Sequence, residues 1–302
     1  MRPLNGVFIS AVFVAILADS PRVQARLVRR ALEEHLSLDG GLSKELGEHK
    51  KYLKKYIDSM TDSIGYVVGL AVIRSSSSGQ MMGQPLPIHC QINPGNADKV
   101  VAPGKIGDIA KAAAQNVRAS IKKVLNKIRA PYVGYEMYVE YIQAHGGVEG
   151  DSASVAIDIA LISDFVKQPV NQRYGVTGSL TGDIILAVGG VTEKIRSIMD
   201  PILGMEGACI PWLNKRDIEP LLINAESEYI QKDDIPGIRI YRAAGKKEPF
   251  DIYFCKTKYN AYQILMGLRK EAVETLMAQR SRSDLEFMKN TGNSSDQIEQ
   301  AI

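Results

Sequence analysis

Gly146-Gly147-Val148-Glu149-Gly150-Asp151-Ser152-Ala153-Ser154 runs directly into Val155-Ala156-Ile157-Asp158-Ile159-Ala160-Leu161-Ile162-Ser163-Asp164-Phe165-Val166. The first stretch is a glycine-rich turn. The second is apolar at nearly every position, the pattern of a helix buried on all sides. The expected helix covers 152–166, stops before Pro169 and carries a serine in its first turn. That location matters chemically. The first N–H groups of a helix have no partner inside it and lie at the positive end of its dipole. They can stabilise negative charge developing on a substrate oxygen. A plainer reading stands beside this one: Asp151 and Ser152 are good capping residues and would only close the helix end.

Outward from this helix, strands and helices alternate. Residues 65–73 read as a strand, closed by Ser75-Ser76-Ser77-Ser78-Gly79, with 86–92 as its antiparallel partner. Ile106, Ile109, Ala110, Ala113, Val117, Ile121, Val124, Leu125 and Ile128 give a long amphipathic helix ended by Pro131. Further strands are expected over 135–142, 183–188, 208–210 and 250–255, and helices over 192–203 and 259–278. From Ser281 the chain is polar with little periodicity, so 281–302 is expected to be a disordered tail. The fold class is α/β, with mixed sheets and packed helices.

A second segment carries chemistry. Thr177-Gly178-Ser179-Leu180-Thr181-Gly182-Asp183 leads through a strand to Gly189-Gly190-Val191-Thr192-Glu193-Lys194. Here a lysine follows a Gly-Gly turn at the start of a helix. A protonated lysine is disfavoured near a helix N-terminus, and burial favours its neutral form further. A neutral amine is what a lysine general base requires. Taken alone, such a lysine would sit at the surface.

Composition narrows the classes. The 302 residues are 45% hydrophobic and 24% charged, an ordinary globular balance with room for about two domains. A net charge of +3 does not point to nucleic acid as the main partner. Cys90, Cys209 and Cys255 share no close spacing, which argues against a disulfide framework or zinc knuckle. His35, His49, His89 and His145 show no ligand spacing, so no metal site is expected and no cofactor is implied. GxxxxGK[ST] is absent from the 302 residues. Ser120-Ile121-Lys122-Lys123 matches SxxK, but no SDN or KTG accompanies it.

Residues 7–18 are apolar but shorter than the roughly 20 that span a membrane. Arg22, Arg26, Arg29 and Arg30 follow them, and basic residues there resist translocation. The bulk of the chain is therefore expected to be cytoplasmic. Residues 7–18 are a candidate membrane tether, a buried or partner-contacting helix, or a cleaved signal. Residues 21–62 read as a charged helical linker between that apolar segment (1–20) and the main domain (63–280). Lys50, Lys51, Lys54 and Lys55 fit a solvated helix face there.

Together the two segments resemble the proteolytic domain of the Lon proteases, most closely the archaeal B type. Glu149-Gly150-Asp151-Ser152-Ala153-Ser154 reads as that branch's serine motif. Thr177-Gly178, Gly189-Gly190 and Glu193-Lys194 follow in the family's order. The flanks agree at Val68-Gly69-Leu70-Ala71-Val72, Lys105-Ile106-Gly107-Asp108-Ile109-Ala110 and Ile210-Pro211. The resemblance runs from about residue 65 to about 222, and more loosely to 268.

It implies a Ser/Lys endopeptidase with a ribosomal-protein-like βαβ core. Ser152 would be the nucleophile and Lys194 its general base. Thr177 would orient the lysine, and the amides around Asp151 and Ser152 would stabilise the oxyanion. Glu149 and Gly150 are supporting members of the motif. Ser154 aligns with a small residue of that motif, which favours Ser152. In an unproductive arrangement Asp151 would pair with Lys194. The resemblance further implies unfolded or loosely folded polypeptide substrates and a homohexamer with an inner chamber. The AAA+ module that accompanies the domain in Lon is not recognisable in these residues. The expected activity is therefore ATP-independent. Alternatives are a separate ATPase acting in trans, or a scaffold that keeps the fold without turnover. The segment between Thr177 and Lys194 is about one residue shorter than in the family, and 246–256 resembles an addition to it.

Overall fold

Neighbouring residues of the central strands divide between two cores. Val67, Cys209 and Tyr253 belong to one cluster, and Val68, Ala208, Ile210, Ile252 and Phe254 to the other. That is the period of two expected of a sheet covered on both faces. In this computed structural model the described residues are 51–60, 63–74, 81–95, 98–103, 108–142, 150–223, 225–243 and 246–290. The expectations for residues 7–18 and for Glu149 fall outside them.

The main sheet has the order β3-β4-β2-β1-β5-β8-β11-β10-β9. Its middle is β1 (Tyr66–Arg74), β5 (Tyr174–Val176), β8 (Gly207–Pro211) and β11 (Lys246–Cys255), paired in parallel. On one side β2 (Met81–Pro94) runs antiparallel to β1, and β4 (Tyr135–Tyr141) antiparallel to β2. The short β3 (Lys99–Val101) closes that edge. On the other side β10 (Ile235–Ala243) and β9 (Glu226–Lys232) continue antiparallel. β6 (Ser179–Thr181) and β7 (Ile184–Leu186) form a separate hairpin.

The longer helices packed on this frame include α1 (Asp108–Lys127), α2 (Ser154–Val166), α3 (Val191–Ile198), α4 (Lys258–Met266) and α5 (Lys270–Asn290). α2 is buried along almost its whole length, as its composition demands. No helix of the described residues is long and apolar enough to cross a membrane. Cys90, Cys209 and Cys255 are buried free thiols.

Several expectations change. The helix expected over 192–203 ends at Ile198, because Pro201 has no amide to donate and Asp200 before it is extended. Pro201–Leu203 then forms a 3-10 turn. The helix expected over 259–278 is two helices, divided at Gly267 in the left-handed conformation. The tail expected from 281 is helical as far as Asn290. Val273, Met277, Ser281, Asp284 and Met288 share its buried face. Two of these are polar, which hid the period. Ser281 donates to the Pro131 carbonyl, and Asp284 accepts from Tyr135 (3.3 Å). Residues 246–255 form β11, which lies inside the sheet beside β8. Residues 51–59 are helical, and Leu53 and Ile57 are buried in the second core. The end of the expected linker is therefore part of the packed unit.

Candidate active site

The turn before α2 carries Asp151 and Ser152. The first helical residue is Ser154, with Ala153 as a cap that has no side-chain hydrogen bond. Ser152 therefore precedes the helix and does not sit in its first turn. Nor do Asp151 and Ser152 act as simple caps. The Asp151 carboxylate accepts from the Ser179 hydroxyl at 2.5 Å. The Ser152 carbonyl accepts from the Gly178 amide (3.0 Å) and the Thr177 hydroxyl (3.2 Å). Gly150 has φ +97°, where a side chain would be strained although nothing lies within 4 Å of a Cβ there.

Two serines of this segment are used differently. Ser154 is 2% exposed. Its hydroxyl donates to the Gly178 carbonyl (3.3 Å) and accepts from the Leu180 amide (2.7 Å), which ties β6 to α2. Ser152 is partly exposed. Its side chain is the more available of the two.

Lys194 comes from the other side. Val191, Lys194, Ile195 and Ile198 lie on the buried stripe of α3, at the spacing of one helix face. A lysine at a core position cannot stay at the surface, and Lys194 is 1% exposed. Its Nζ donates to Thr177 Oγ1 at 2.9 Å. Thr177 is itself fixed through its amide to the Cys209 carbonyl on β8 (3.2 Å). One hydroxyl thus connects the Lys194 amine to the Ser152 backbone. Burial pulls the Lys194 amine down to about 8, against a smaller upward pull from the Asp151 carboxylate. The amine is therefore partly neutral near neutral pH.

The sequence reading missed two contributors. Gly83 in β2 faces the start of α3: a Cβ there would lie 2.0 Å from the Glu193 carbonyl oxygen and 2.8 Å from Lys194 Cα. A glycine inside a strand is a sign of such close approach and was the available signal. Ser179 lies within the Thr177–Asp183 segment, and no local pattern announces its bond to Asp151. The structure brings Gly150, Asp151, Ser152, Thr177 and Lys194 together; Glu149 lies outside the described residues. Among those residues, no group of three His, Cys, Asp or Glu could hold a metal ion.

A partly exposed serine, a buried lysine with a lowered proton affinity and a hydroxyl between them suit proton abstraction from an alcohol. Residues 39–234 match the family model of the Lon protease (S16) C-terminal proteolytic domain. This chain belongs to the Lon protease family. It is 34% identical over 223 residues to the archaeal Lon protease of Thermococcus kodakarensis, covering 72% of this chain and 33% of that protein. With the archaeal Lon protease of Archaeoglobus fulgidus it shares 33% over 233 residues, 76% of this chain and 35% of the relative. The counterpart in Methanothermobacter thermautotrophicus is 35% identical over 201 residues, 65% of this chain and 28% of its own. The chain thus spans about a third of the length of these relatives. The Lon family match ends at 234, whereas the main sheet of this chain also takes in β10 and β11 beyond it.

Proposed function

We propose that this domain is a serine endopeptidase in which Ser152 is the nucleophile and Lys194 the general base. The observation that carries the reading is the buried Lys194 amine, pulled down to about 8 and held by Thr177, whose hydroxyl also reaches Ser152. The neutral amine takes the proton of Ser152 Oγ as the oxygen attacks the substrate carbonyl carbon. The amides of the turn around Asp151 and Ser152 face the developing oxyanion. As the tetrahedral intermediate collapses, the proton on Lys194 passes to the leaving amine and the C–N bond breaks. Water then attacks the acyl-enzyme by the same route in reverse, releasing the second product and restoring Ser152.

The substrates are unfolded or loosely folded polypeptides, and the chain acts on them without ATP. The family suggests a homohexamer with an inner chamber, and residues 7–18 are the candidate membrane contact. Asp151 is the candidate for a latent state in which it pairs with Lys194.

Casein digestion tests the reading. Wild-type protein cleaves casein with or without ATP, while Ser152→Ala and Lys194→Ala each lower the rate by roughly a thousandfold or more. Equal digestion by all three proteins would refute the dyad. Stimulation of the pure chain by ATP would refute independence. Light scattering tests the hexamer, which a persistent monomer would contradict.

A further inference from the structure

Asp151 is an exposed carboxylate close enough to act on Lys194, yet no ion pair joins the two among the described residues. Its hydrogen bond from Ser179 at 2.5 Å points it elsewhere. Ser179 is a fixed donor. It is 8% exposed, and the next residue, Leu180, donates its amide to Ser154 Oγ on α2. The hairpin is held again at its far end. Ser120 donates to the Gly182 carbonyl (3.3 Å), and the Lys258 amide to the Asp183 carbonyl (2.9 Å). The Ile185 amide reaches the Lys256 carbonyl (2.9 Å). β6 therefore cannot follow Asp151 if that carboxylate swings.

We propose that Ser179 is a positioning residue that latches the Asp151 carboxylate away from Lys194 and so keeps the general base free of an ion pair. The inference rests on the Ser152/Lys194 reading for its consequence, but the latch is a statement about geometry alone. An unlatched carboxylate beside a buried amine gains by turning toward it, because attraction is strong where water is excluded. The ammonium form is then stabilised and the base is lost at neutral pH.

Other ionisable groups surround α3. Glu193 and Arg196 lie on it. Lys215, Arg216 and Asp217 are on the adjoining 3-10 segment, and Glu219 follows them. Among the described side chains, the packed strands carry Tyr66 (β1), His89 and Cys90 (β2), and Cys209 (β8). Of all these and Asp151, only Asp151 acts electrostatically on the Lys194 amine.

The test titrates Lys194 directly, by 13C NMR of the full chain labelled at lysine Cε. The resonance is assigned by its loss in Lys194→Ala. Ser179→Ala should titrate about one pH unit higher than wild type, and Asp151→Asn lower. Ser179→Thr, which keeps the hydroxyl, should match wild type. The double variant Asp151→Asn/Ser179→Ala should match Asp151→Asn, because Ser179 acts only through that carboxylate. Cleavage of fluorescein-labelled casein at pH 7 by Ser179→Ala should fall about tenfold, in step with the titration.

The latch is overturned if Ser179→Ala titrates as wild type does. It is equally overturned if the serine change shifts the midpoint as much in the Asp151→Asn background as in wild type. A casein profile that ignores the measured titration would instead overturn Lys194 as general base, and the resonance would still judge the latch.

Discussion

Lys194 and Lys258 are each 1% exposed, and each donates to a buried hydroxyl at 2.9 Å, Thr177 for one and Ser120 for the other. Their carboxylate neighbours differ. Lys258 Nζ lies 3.6 Å from Asp158 Oδ1 on α2 and 3.6 Å from Asp183 Oδ1 at the hairpin. Asp158 is fully buried and also accepts from the Tyr262 hydroxyl. Among the described residues Lys194 has one acidic influence, Asp151, and that carboxylate is occupied by Ser179. Both sites place a lysine beside a hydroxyl. Among the described residues, only Lys258 has carboxylates paired with it. Burial with paired carboxylates makes a structural bolt, and burial without them makes a candidate base. The contrast also disposes of the SxxK match. Ser120 does meet a lysine, but the one it meets is Lys258, 138 residues away and tied to two acids.

The comparison predicts opposite signs for the same change, beginning with the larger. Lys258→Met strips the cation from a fully buried Asp158, and breaking a buried pair costs about 3–5 kcal/mol. Burial already raises the Asp158 carboxyl above its ordinary range, so protonation absorbs part of the loss and places the result near the low end. Urea unfolding at pH 7 measures it. A loss below about 1 kcal/mol would mean that the two lysines are not different in kind.

Lys194→Met should abolish casein cleavage and yet stabilise the fold. The lysine falls from 10.5 to about 8 on folding, so at pH 7 the native state bears a cost approaching about 3 kcal/mol. A methionine of similar length removes that cost, less the lost bond to Thr177. The sign with pH follows from linkage. Between about 8 and 10.5 the unfolded chain binds the proton that the native state has released, so stability rises with pH across that window. Below about 8 the full cost remains. Wild type should therefore gain on the Lys194→Met variant between pH 8 and 10, a convergence that thermal melts at each pH would reveal. Cleavage itself should climb about tenfold per pH unit below 8 and level off above it.

Gly83→Ala sharpens the contrast from the backbone side, since it touches the Lys194 helix and leaves the Lys258 network alone. The added Cβ would overlap the Glu193 carbonyl, so β2 and α3 must move apart. Overpacking of this kind costs about 1–3 kcal/mol. A displaced amine should lower casein cleavage by roughly a hundredfold. Unchanged cleavage in a folded variant would show that the close approach does not position Lys194.

The largely apolar runs of 65–73 and 155–166 made the central strand and the buried helix readable, because each burial pattern is local. The order of the serine and lysine segments likewise revealed the family. What was not readable depended on contacts distant in sequence. α5 was hidden because Ser281 and Asp284 occupy core positions, each satisfied by a partner some 150 residues away, Pro131 and Tyr135. β9 escaped because Glu226–Lys232 is an exposed edge strand whose polar residues show no apolar alternation. Lys194 itself was legible in part. Its place between Val191 and Ile195, Ile198 put it on an apolar stripe, but the lack of a paired acid required the fold.

The smallest effects come from the two hydroxyls, and they divide the sites most cleanly. Ser120→Ala removes one of several partners of Lys258 while both carboxylates remain. It should cost about 1 kcal/mol in unfolding experiments and leave the casein rate at its wild-type value. Thr177→Val is the matched change at the other lysine. It removes the only hydrogen-bond partner that the Lys194 amine has among the described residues, together with a bond to the Ser152 carbonyl. Its stability cost should also be about 1 kcal/mol, because the amine shifts toward its neutral form when it loses the acceptor. The consequence for cleavage should differ. A freed amine samples several rotamers, and the serine turn loses an anchor, so the rate falls by roughly ten- to a hundredfold. Thr177→Ser, which keeps the oxygen, should restore most of it. Equal rates for Thr177→Val and Ser120→Ala would mean that the hydroxyl beside Lys194 is as structural as the one beside Lys258.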